Sequence, residues 1–415
     1  MDKEKYMQLA IELAKRGEGL TSPNPLVGCV IVRENADGSA GIIARGWHEY
    51  CGGYHAERNA ILSCEEDLKG TTMFVTLEPC CHHGKTPPCT DLIIERGIKR
   101  VYVGSDDPNP KVAGKGIRQL EAAGIEVIPH FMKDECDELN DIFFKYITSK
   151  MPYTAMKYAM TLDGKISTCT GDSKWITGDE ARKHVHGLRK KYSAILVGVG
   201  TVIADDPGLD YRGEDVPSVS LLTGGEQPVL SYDPTRVIMD THLRIPIDSK
   251  IVKTAADIPT IIAYGSDLEP NNNRDQNDNE SMGFYQKKQK LIESGIKLLP
   301  LSVDENGHVS VTDLLKKLGG LGLDSVLIEG GSHIHGAFFE HRELIDRVYA
   351  YIAPKLSGGE AAKGPVGGAG VERLSDALRL TDVEVMTLGE DILISGKSLK
   401  TLEKTGCDVR GYSCE

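Results

Sequence analysis

The 415-residue chain lacks a long apolar run. No stretch is apolar for long enough to cross a bilayer, so no membrane partner is expected. The marks of a secretory leader are missing too. Met1-Asp2-Lys3-Glu4-Lys5 leads into an amphipathic segment with no small-residue cleavage site. Basic charge is in deficit: 48 Lys and Arg against 61 Asp and Glu leave a net charge of -13. That argues against nucleic acid held on a broad basic surface. A small anionic substrate stays open, because a few local Arg or Lys residues suffice for one phosphate. The 10 cysteines are too sparse and too unevenly spread for a disulfide framework. Cys80, Cys81 and Cys89 sit close together and the rest are scattered. A reducing cytoplasm with one metal site fits that pattern. Cys29, Cys51, Cys64, Cys136 and Cys169 are expected to be small buried hydrophobes. The two halves of the chain show no internal repeat.

What remains is an ordinary globular composition, 40% apolar and 26% charged. At roughly 100–200 residues per domain, the length suggests two or three domains. Apolar positions at Tyr6, Leu9, Ala10, Leu13 and Ala14 have a helical period. Ser22-Pro23-Asn24-Pro25 breaks the chain. Strands are expected at 26–32, 42–48, 72–77, 101–104 and 126–129. Helices are expected at 56–64, 88–96 and 116–123, with Pro88 near a first turn and Gly124 just past an end. Alternating helices and buried strands predict a layered α/β sandwich, complete by about residue 147. Residues 148–152 form an expected linker. A second α/β unit follows over 153–403, with strands at 153–160, 194–199, 236–240, 260–264, 325–329 and 347–352. Residues 267–282, rich in Asn, Asp and Glu, are expected to be a polar insertion. Residues 404–415, with Cys407 and Cys414, are expected to be a tail.

The chemistry centres on His55-Ala56-Glu57, followed by Pro79-Cys80 and Cys89. One imidazole and two thiolates give zinc three ligands and leave the fourth position for water, the pattern of a catalytic site. Glu57, two residues past His55 at a helix start, falls beside the metal without ligating it. There it can move a proton from water to the leaving amine. Zinc deaminases of bases divide the labour in this way. Cys89, at a predicted helix N-terminus, gains support for a negative sulfur. The alternative is a closed structural site with Cys81, His82 or His83 as fourth ligand. The eight residues between Cys80 and Cys89 also depart from the usual P-C-x-x-C.

In the second half, Gly198-Val199-Gly200 lacks the third glycine of a dinucleotide fingerprint. Ser325-Val326-Leu327-Ile328-Glu329-Gly330-Gly331-Ser332 is an apolar strand entering a Gly-Gly turn before a helical stretch at 334–340. Bare N–H groups there suit a pyrophosphate, or the segment is simply a tight turn.

The string Glu78-Pro79-Cys80-Cys81-His82-His83-Gly84-Lys85-Thr86-Pro87-Pro88-Cys89 resembles the bifunctional deaminase/reductase family of riboflavin biosynthesis. That family's metal motif reads approximately E-P-C-x-H-x-G-x-T-P-P-C. Further matches follow in order. They are Ser22-Pro23-Asn24-Pro25, His55-Ala56-Glu57, Asp107-Pro108-Asn109-Pro110 with Gly114 and Gly116, and Thr161-Leu162-Asp163-Gly164-Lys165. Then come Gly171-Asp172-Ser173-Lys174-Trp175-Ile176-Thr177, Gly198-Val199-Gly200-Thr201, Asp205-Asp206-Pro207 and Glu329-Gly330-Gly331-Ser332. The resemblance covers the chain except roughly 213–232, the polar insertion and the tail.

The resemblance implies a cytidine-deaminase-like three-layer α/β/α domain and a dihydrofolate-reductase-like α/β domain. It implies hydrolytic deamination of 2,5-diamino-6-(5-phosphoribosylamino)pyrimidin-4-one, then NADPH-dependent reduction of its ribosyl group to ribityl. One zinc would sit on His55, Cys80 and Cys89 with Glu57 as proton shuttle, and Asn24 would line the base pocket. Asn24 is otherwise a turn residue between prolines. NADPH would touch Ala159, Trp175, Thr201, Asp205, Gly331, Ser332, His333, Ile334, His335, Gly336 and Ala337. Ser173, Arg189, Leu209, Arg212 and Glu329 would contact the substrate. Forked guanidinium groups suit phosphate, although each arginine alone reads equally as a surface residue. Asp205 would move the proton that opens the ribosylamine ring, with Lys157 placing a charge nearby; otherwise Asp205 caps the Asp206-Pro207 turn. Carry-over to Thr241 is less direct, because extra residues follow Arg212. A homo-oligomer is expected. Two other classes stay in view: a deaminase of another base or nucleoside fused to a reductase-like module, and a non-catalytic protein with structural zinc.

Overall fold

Alternate residues of the first half's strands are buried on opposite sides of one sheet. The computed structural model describes residues 2–35, 38–83, 87–215, 230–266 and 279–399. Its first elements are α1 (Lys3–Lys15), β1 (Gly28–Glu34), β2 (Ala40–Trp47), α2 (Ala56–Leu62), β3 (Thr72–Leu77), α3 (Cys89–Glu95), β4 (Arg100–Ser105), α4 (Lys115–Ala122), β5 (Glu126–Ile128), α5 (Lys133–Glu138) and α6 (Asp141–Ser149). The strands run in the order β2-β1-β3-β4-β5. β1 is antiparallel to β2 and β3, and β3, β4 and β5 are parallel. Cys29, Ile31, Met73, Val75, Val101 and Val103 point into one core, with Ala56, Ala60, Ile93 and Leu120 from the helices. Val30, Val32, Phe74 and Tyr102 point into the other, against Met7, Ala10 and Ile11 of α1. Covering both faces of the sheet makes the three-layer sandwich, and it explains why these strands read as unbroken apolar runs.

The rest of the chain continues with β6 (Tyr153–Thr161), α7 (Asp179–Lys191), β7 (Ala194–Gly198), α8 (Val199–Asp205), β8 (Thr235–Met239), α9 (Lys250–Lys253), β9 (Thr260–Gly265), α10 (Asn279–Glu293), β10 (Lys297–Leu301), α11 (Val311–Gly320), β11 (Ser325–Ile328), α12 (Ser332–Glu340), β12 (Arg347–Ala353), β13 (Leu380–Leu388) and β14 (Asp391–Ser398). The chain divides into two compact units. One takes Met1–Tyr153 and Arg182–Gly331; the other takes Thr154–Ala181 and the chain from Ser332 onward. In the first unit, parallel strands follow the order β10-β9-β8-β7-β11. In the second, β12 lies between a parallel β6 and an antiparallel β14, and β14 pairs antiparallel with β13.

Several expectations change. The stretch 267–278 lies outside the described residues, but Asn279 already begins α10, so residues 279–282 are helical. Residues 404–415, including Cys407 and Cys414, lie outside the described residues. Val199 starts α8 rather than ending a strand. Cys29 and Cys136 are buried as expected, whereas Cys64 is half-buried and Cys51 and Cys169 are exposed. No helix among the described residues is long and apolar enough to cross a membrane.

Candidate active sites

The candidate metal ligands come from two helix starts and one strand end. His55 is the residue before α2, and Glu57 lies in that helix's first turn, where it is 3% exposed. Helix α2 reaches this depth because β2 carries Gly46 beneath it. A Cβ there would meet Ala60 N at 2.4 Å and Ala56 O at 2.5 Å. Cys80 follows β3 by way of Glu78 and Pro79, and Cys89 opens α3. His55 Nδ1 lies 3.4 Å from Cys80 Sγ and 3.6 Å from Cys89 Sγ. The three donor atoms lie within 4.8 Å of one another, and this is the one such cluster among the described residues.

Cys81, His82 and His83 stand outside the cluster. The Cys81 Sγ instead approaches Lys111 O at 4.0 Å. Gly84, Lys85 and Thr86 lie outside the described residues. The donor set is therefore the open three-ligand arrangement, and its chemistry fits zinc.

Cys89 opens α3 as expected, and the same helix start also serves Cys80. The backbone N–H of Cys89 donates to Cys80 Sγ at 3.4 Å. Hydrogen bonds from Cys89 and His55 hold the Cys80 thiol down to about 4, while the bond to Cys80 and burial push Cys89 up. Burial pushes the Glu57 carboxyl up to about 7, against the pull of His55.

Glu78 ties this loop to α4. Its carboxylate accepts from Gly114 N (2.9 Å), Gly116 N (2.9 Å) and Ile117 N (3.2 Å). A Cβ on Gly116 would meet Pro79 O at 2.1 Å, so α4 seats on the backbone that precedes Cys80. The glycines after Asp107-Pro108-Asn109-Pro110 thus have a structural cause. Asp107 is buried, and burial pushes its carboxyl up to about 6.

Asn24 Nδ2 lies 3.2 Å from His48 Nε2, and His48 Nδ1 lies 2.9 Å from Tyr54 O. With Nδ1–H donating to the carbonyl, Nε2 accepts from the Asn24 amide, and that turns Asn24 Oδ1 into the position of a fixed acceptor. Burial lowers His48 to about 4, so it is neutral. Its ring stands edge-on to His55 at 5.5 Å. Sequence reading missed His48, because a lone histidine after a strand carries no motif.

In the first compact unit, the residues assigned to the second reaction gather around Arg189. Its Nε and Nη2 donate to Glu329 Oε1 and Oε2 at 3.0 and 2.9 Å, and its Nη1 donates to Asp210 O at 3.1 Å. The two-point grip expected for phosphate is therefore made on Glu329. Arg212, bound to Asp210 Oδ1 at 2.9 Å through Nη2, keeps a side chain that is 61% exposed. Leu209 is buried with φ 54°, and Asp205 closes α8. Gly200 and Gly331 border open space. A Cβ on Gly200 would meet nothing within 4 Å, and one on Gly331 only Thr201 Oγ1 at 3.8 Å.

The second unit holds the others. Lys157 and Ala159 lie on β6, and Lys157 Nζ stands 5.7 Å from the Tyr351 ring centre. Trp175 is 66% exposed, and Ser173 is half-buried. In α12, Ser332, Ile334 and Ala337 are half-buried and His333 is exposed. His335 and Gly336 are instead committed to the 365–368 segment. His335 Nδ1 lies 2.8 Å from Pro365 O, and a Cβ on Gly336 would meet Gly367 C at 2.6 Å.

Comparison with known proteins places both halves of the chain in known families. Residues 1–105 match the cytidine and deoxycytidylate deaminase zinc-binding region, and residues 152–394 match the RibD C-terminal domain. A riboflavin biosynthesis protein RibD from Actinobacillus pleuropneumoniae is 49% identical over 94% of this chain and 93% of its own length. One from Aquifex aeolicus is 40% identical over 94% and 96%. The solved Acinetobacter baumannii RibD superposes with a TM-score of 0.77 at 34% identity, covering 95% of this chain and 98% of that one. A Thermotoga maritima diaminohydroxyphosphoribosylaminopyrimidine deaminase/5-amino-6-(5-phosphoribosylamino)uracil reductase gives 0.75 at 37%, with the same coverage. The chain belongs to the bifunctional riboflavin-biosynthesis family, which joins a zinc-dependent deaminase to a reductase using a nicotinamide cofactor.

Proposed function

We propose that the chain hydrolyses the amine from 2,5-diamino-6-(5-phosphoribosylamino)pyrimidin-4-one and then reduces the ribosyl group with NADPH. The product is 5-amino-6-(5-phosphoribitylamino)uracil. Residues 1–147 and 153–403 would serve as the two domains, working in the cytoplasm. The observation that carries this reading is the His55, Cys80 and Cys89 cluster with Glu57 buried beside it but outside the donor set. The relative from Thermotoga maritima, named for both reactions, supports the substrate.

Zinc on the three donors supplies the Lewis acidity that makes water a nucleophile near neutral pH. Glu57 takes a proton from the attacking water and hands it to the amine as the carbon–oxygen bond forms and the carbon–nitrogen bond breaks. Asn24, oriented by His48, holds the edge of the base. In the second reaction the nicotinamide cofactor supplies a hydride. Asp205 moves the proton that opens the ribosylamine ring, and Lys157 is assigned to the same reaction as a positive charge. Thr201, Ala159, Trp175 and the Gly331–Ala337 segment would hold NADPH, with phosphates favoured at the α12 start. Ser173, Arg189, Leu209, Arg212 and Glu329 would hold the phosphoribosyl substrate.

Metal removal tests the division. Protein stripped by a chelator is expected to release no ammonia, yet to reduce the already deaminated intermediate at its former rate. Ammonia release that survives complete metal loss would overturn the zinc assignment.

A homo-oligomer is also proposed. Among the described residues β13 pairs with β14 alone and exposes Val383, Val385 and Met386, at 53%, 68% and 47%. A long apolar edge strand invites a second copy. Sedimentation velocity is expected to give a multiple of the 45.2 kDa chain mass. A monomer at every concentration tested would remove this proposal.

A further inference from the structure

We infer that Arg236 is a positioning residue of the reductase, one that sets the backbone of the loop following α8 through the carbonyl of Gly208. The inference rests on the proposed contact of Leu209 and Arg212 with substrate.

Arg236 is the second residue of β8, and its side chain is completely buried. A buried guanidinium is costly unless its donors are satisfied. Here they are. Nε donates to Thr260 Oγ1 at 3.0 Å, and Nη1 donates to Thr254 Oγ1 at 2.7 Å and to Gly208 O at 3.2 Å. Nη2 donates to Ile251 O at 3.1 Å and Ile258 O at 3.2 Å. None of the five acceptors is a carboxylate. Asp210, Asp233 and Asp257 favour the charge through space only. A side chain kept for an ion pair would face its counter-charge directly. Arg236 instead acts as a rigid five-donor fork, a job neither lysine nor an apolar residue of similar volume can do.

Four of those acceptors lie within residues 251–260. The fifth, Gly208 O, lies in the loop that carries Leu209, Asp210 and Arg212. That loop needs holding. Asp206 and Leu209 sit at φ 41° and 54°, a region non-glycine residues adopt when their surroundings fix them. Neighbouring points are fixed separately. Asp206 Oδ1 accepts from Lys250 N at 2.8 Å, Asp210 O accepts from Arg189, and Tyr211 N donates to Asp233 Oδ1 at 2.8 Å. Arg236 supplies the anchor at Gly208, between the two left-handed residues. Without it, Leu209 and Arg212 lose their register toward the substrate.

The test uses the full zinc-loaded chain, the deaminated phosphoribosylamino intermediate and NADPH. For Arg236→Met, the KM for the phosphoribosyl substrate is expected to rise about tenfold or more, since small misplacements of positioning groups are expensive. The KM for NADPH should stay within about twofold, which a general loss of structure would not allow. Ammonia release should be unchanged. Arg236→Lys should fall between, and it decides the question by the same split if Arg236→Met is insoluble. Arg212→Ala is run alongside. If it raises the substrate KM while Arg236→Met lowers only the melting temperature, or moves both KM values together, the inference is wrong and the site reading survives. If Arg212→Ala leaves the substrate KM unchanged, the loop is not a substrate contact, and both fall.

Discussion

Glu57→Gln is expected to bind zinc as fully as the native chain and to release almost no ammonia. The side chain is 3% exposed in the first turn of α2 and is not one of the three donors. Glutamine keeps its shape and removes only the ability to carry a proton. A positioned acid–base group contributes about 10²–10⁴-fold to rate, or roughly 3–5 kcal/mol of barrier. The loss should fall on kcat, with reduction of the deaminated intermediate untouched. A variant that loses its zinc would make Glu57 a support of the metal site. A variant that keeps its rate would move the proton path elsewhere.

The second large effect is expected at Glu329. Its carboxylate meets Arg189 through two hydrogen bonds of 3.0 and 2.9 Å, with side chains 7% and 15% exposed. Glu329→Gln removes the negative charge and leaves a buried guanidinium without its counter-ion. Breaking one side of such a pair costs about 3–5 kcal/mol. The fold should weaken, and Arg189 should release Asp210 O and with it the substrate loop. Replacing both residues, as Arg189→Met with Glu329→Leu, should restore much of the stability, because an apolar pair needs no desolvation. It should not restore reduction. If the double variant reduces substrate normally, the pair is only structural. If Glu329→Gln melts at the native temperature, the pair is less buried in solution than the geometry requires.

The deaminase half was legible because its chemistry sits on residues with few other uses. His55, Cys80 and Cys89 came together as read, and Thr72–Leu77 and the helix opening at Cys89 fell within a residue of expectation. The support around them was not legible. His48 belongs to no motif, and Glu78, though part of the motif string, shows no role until Gly114 and Gly116 fold onto it. That the N–H of Cys89 donates to Cys80 was not legible either, because a backbone N–H serves whichever sulfur the fold brings to it.

The reductase half was harder to read for a different reason. β10 (Lys297–Leu301) contains Pro300, which argues against a central strand, and the strand in fact lies at a sheet edge where proline is tolerated. β13 was missed because it has no alternation of buried and exposed residues to reveal it, and β14 went unread with it. Arg236 opens an expected strand at 236–240 but belongs to no motif, and only the convergence of five acceptors shows its role.

One coupled assay shows whether the chain carries out both reactions in order. Purified, metal-quantified protein is given the diaminopyrimidinone ribotide and NADPH, and ammonia and NADPH are followed together. The expected result is ammonia release first, then NADPH oxidation in equal amount, with Glu57→Gln stalling both until deaminated intermediate is added. NADPH oxidation that proceeds without ammonia, or native zinc-loaded protein that does neither, would contradict the account.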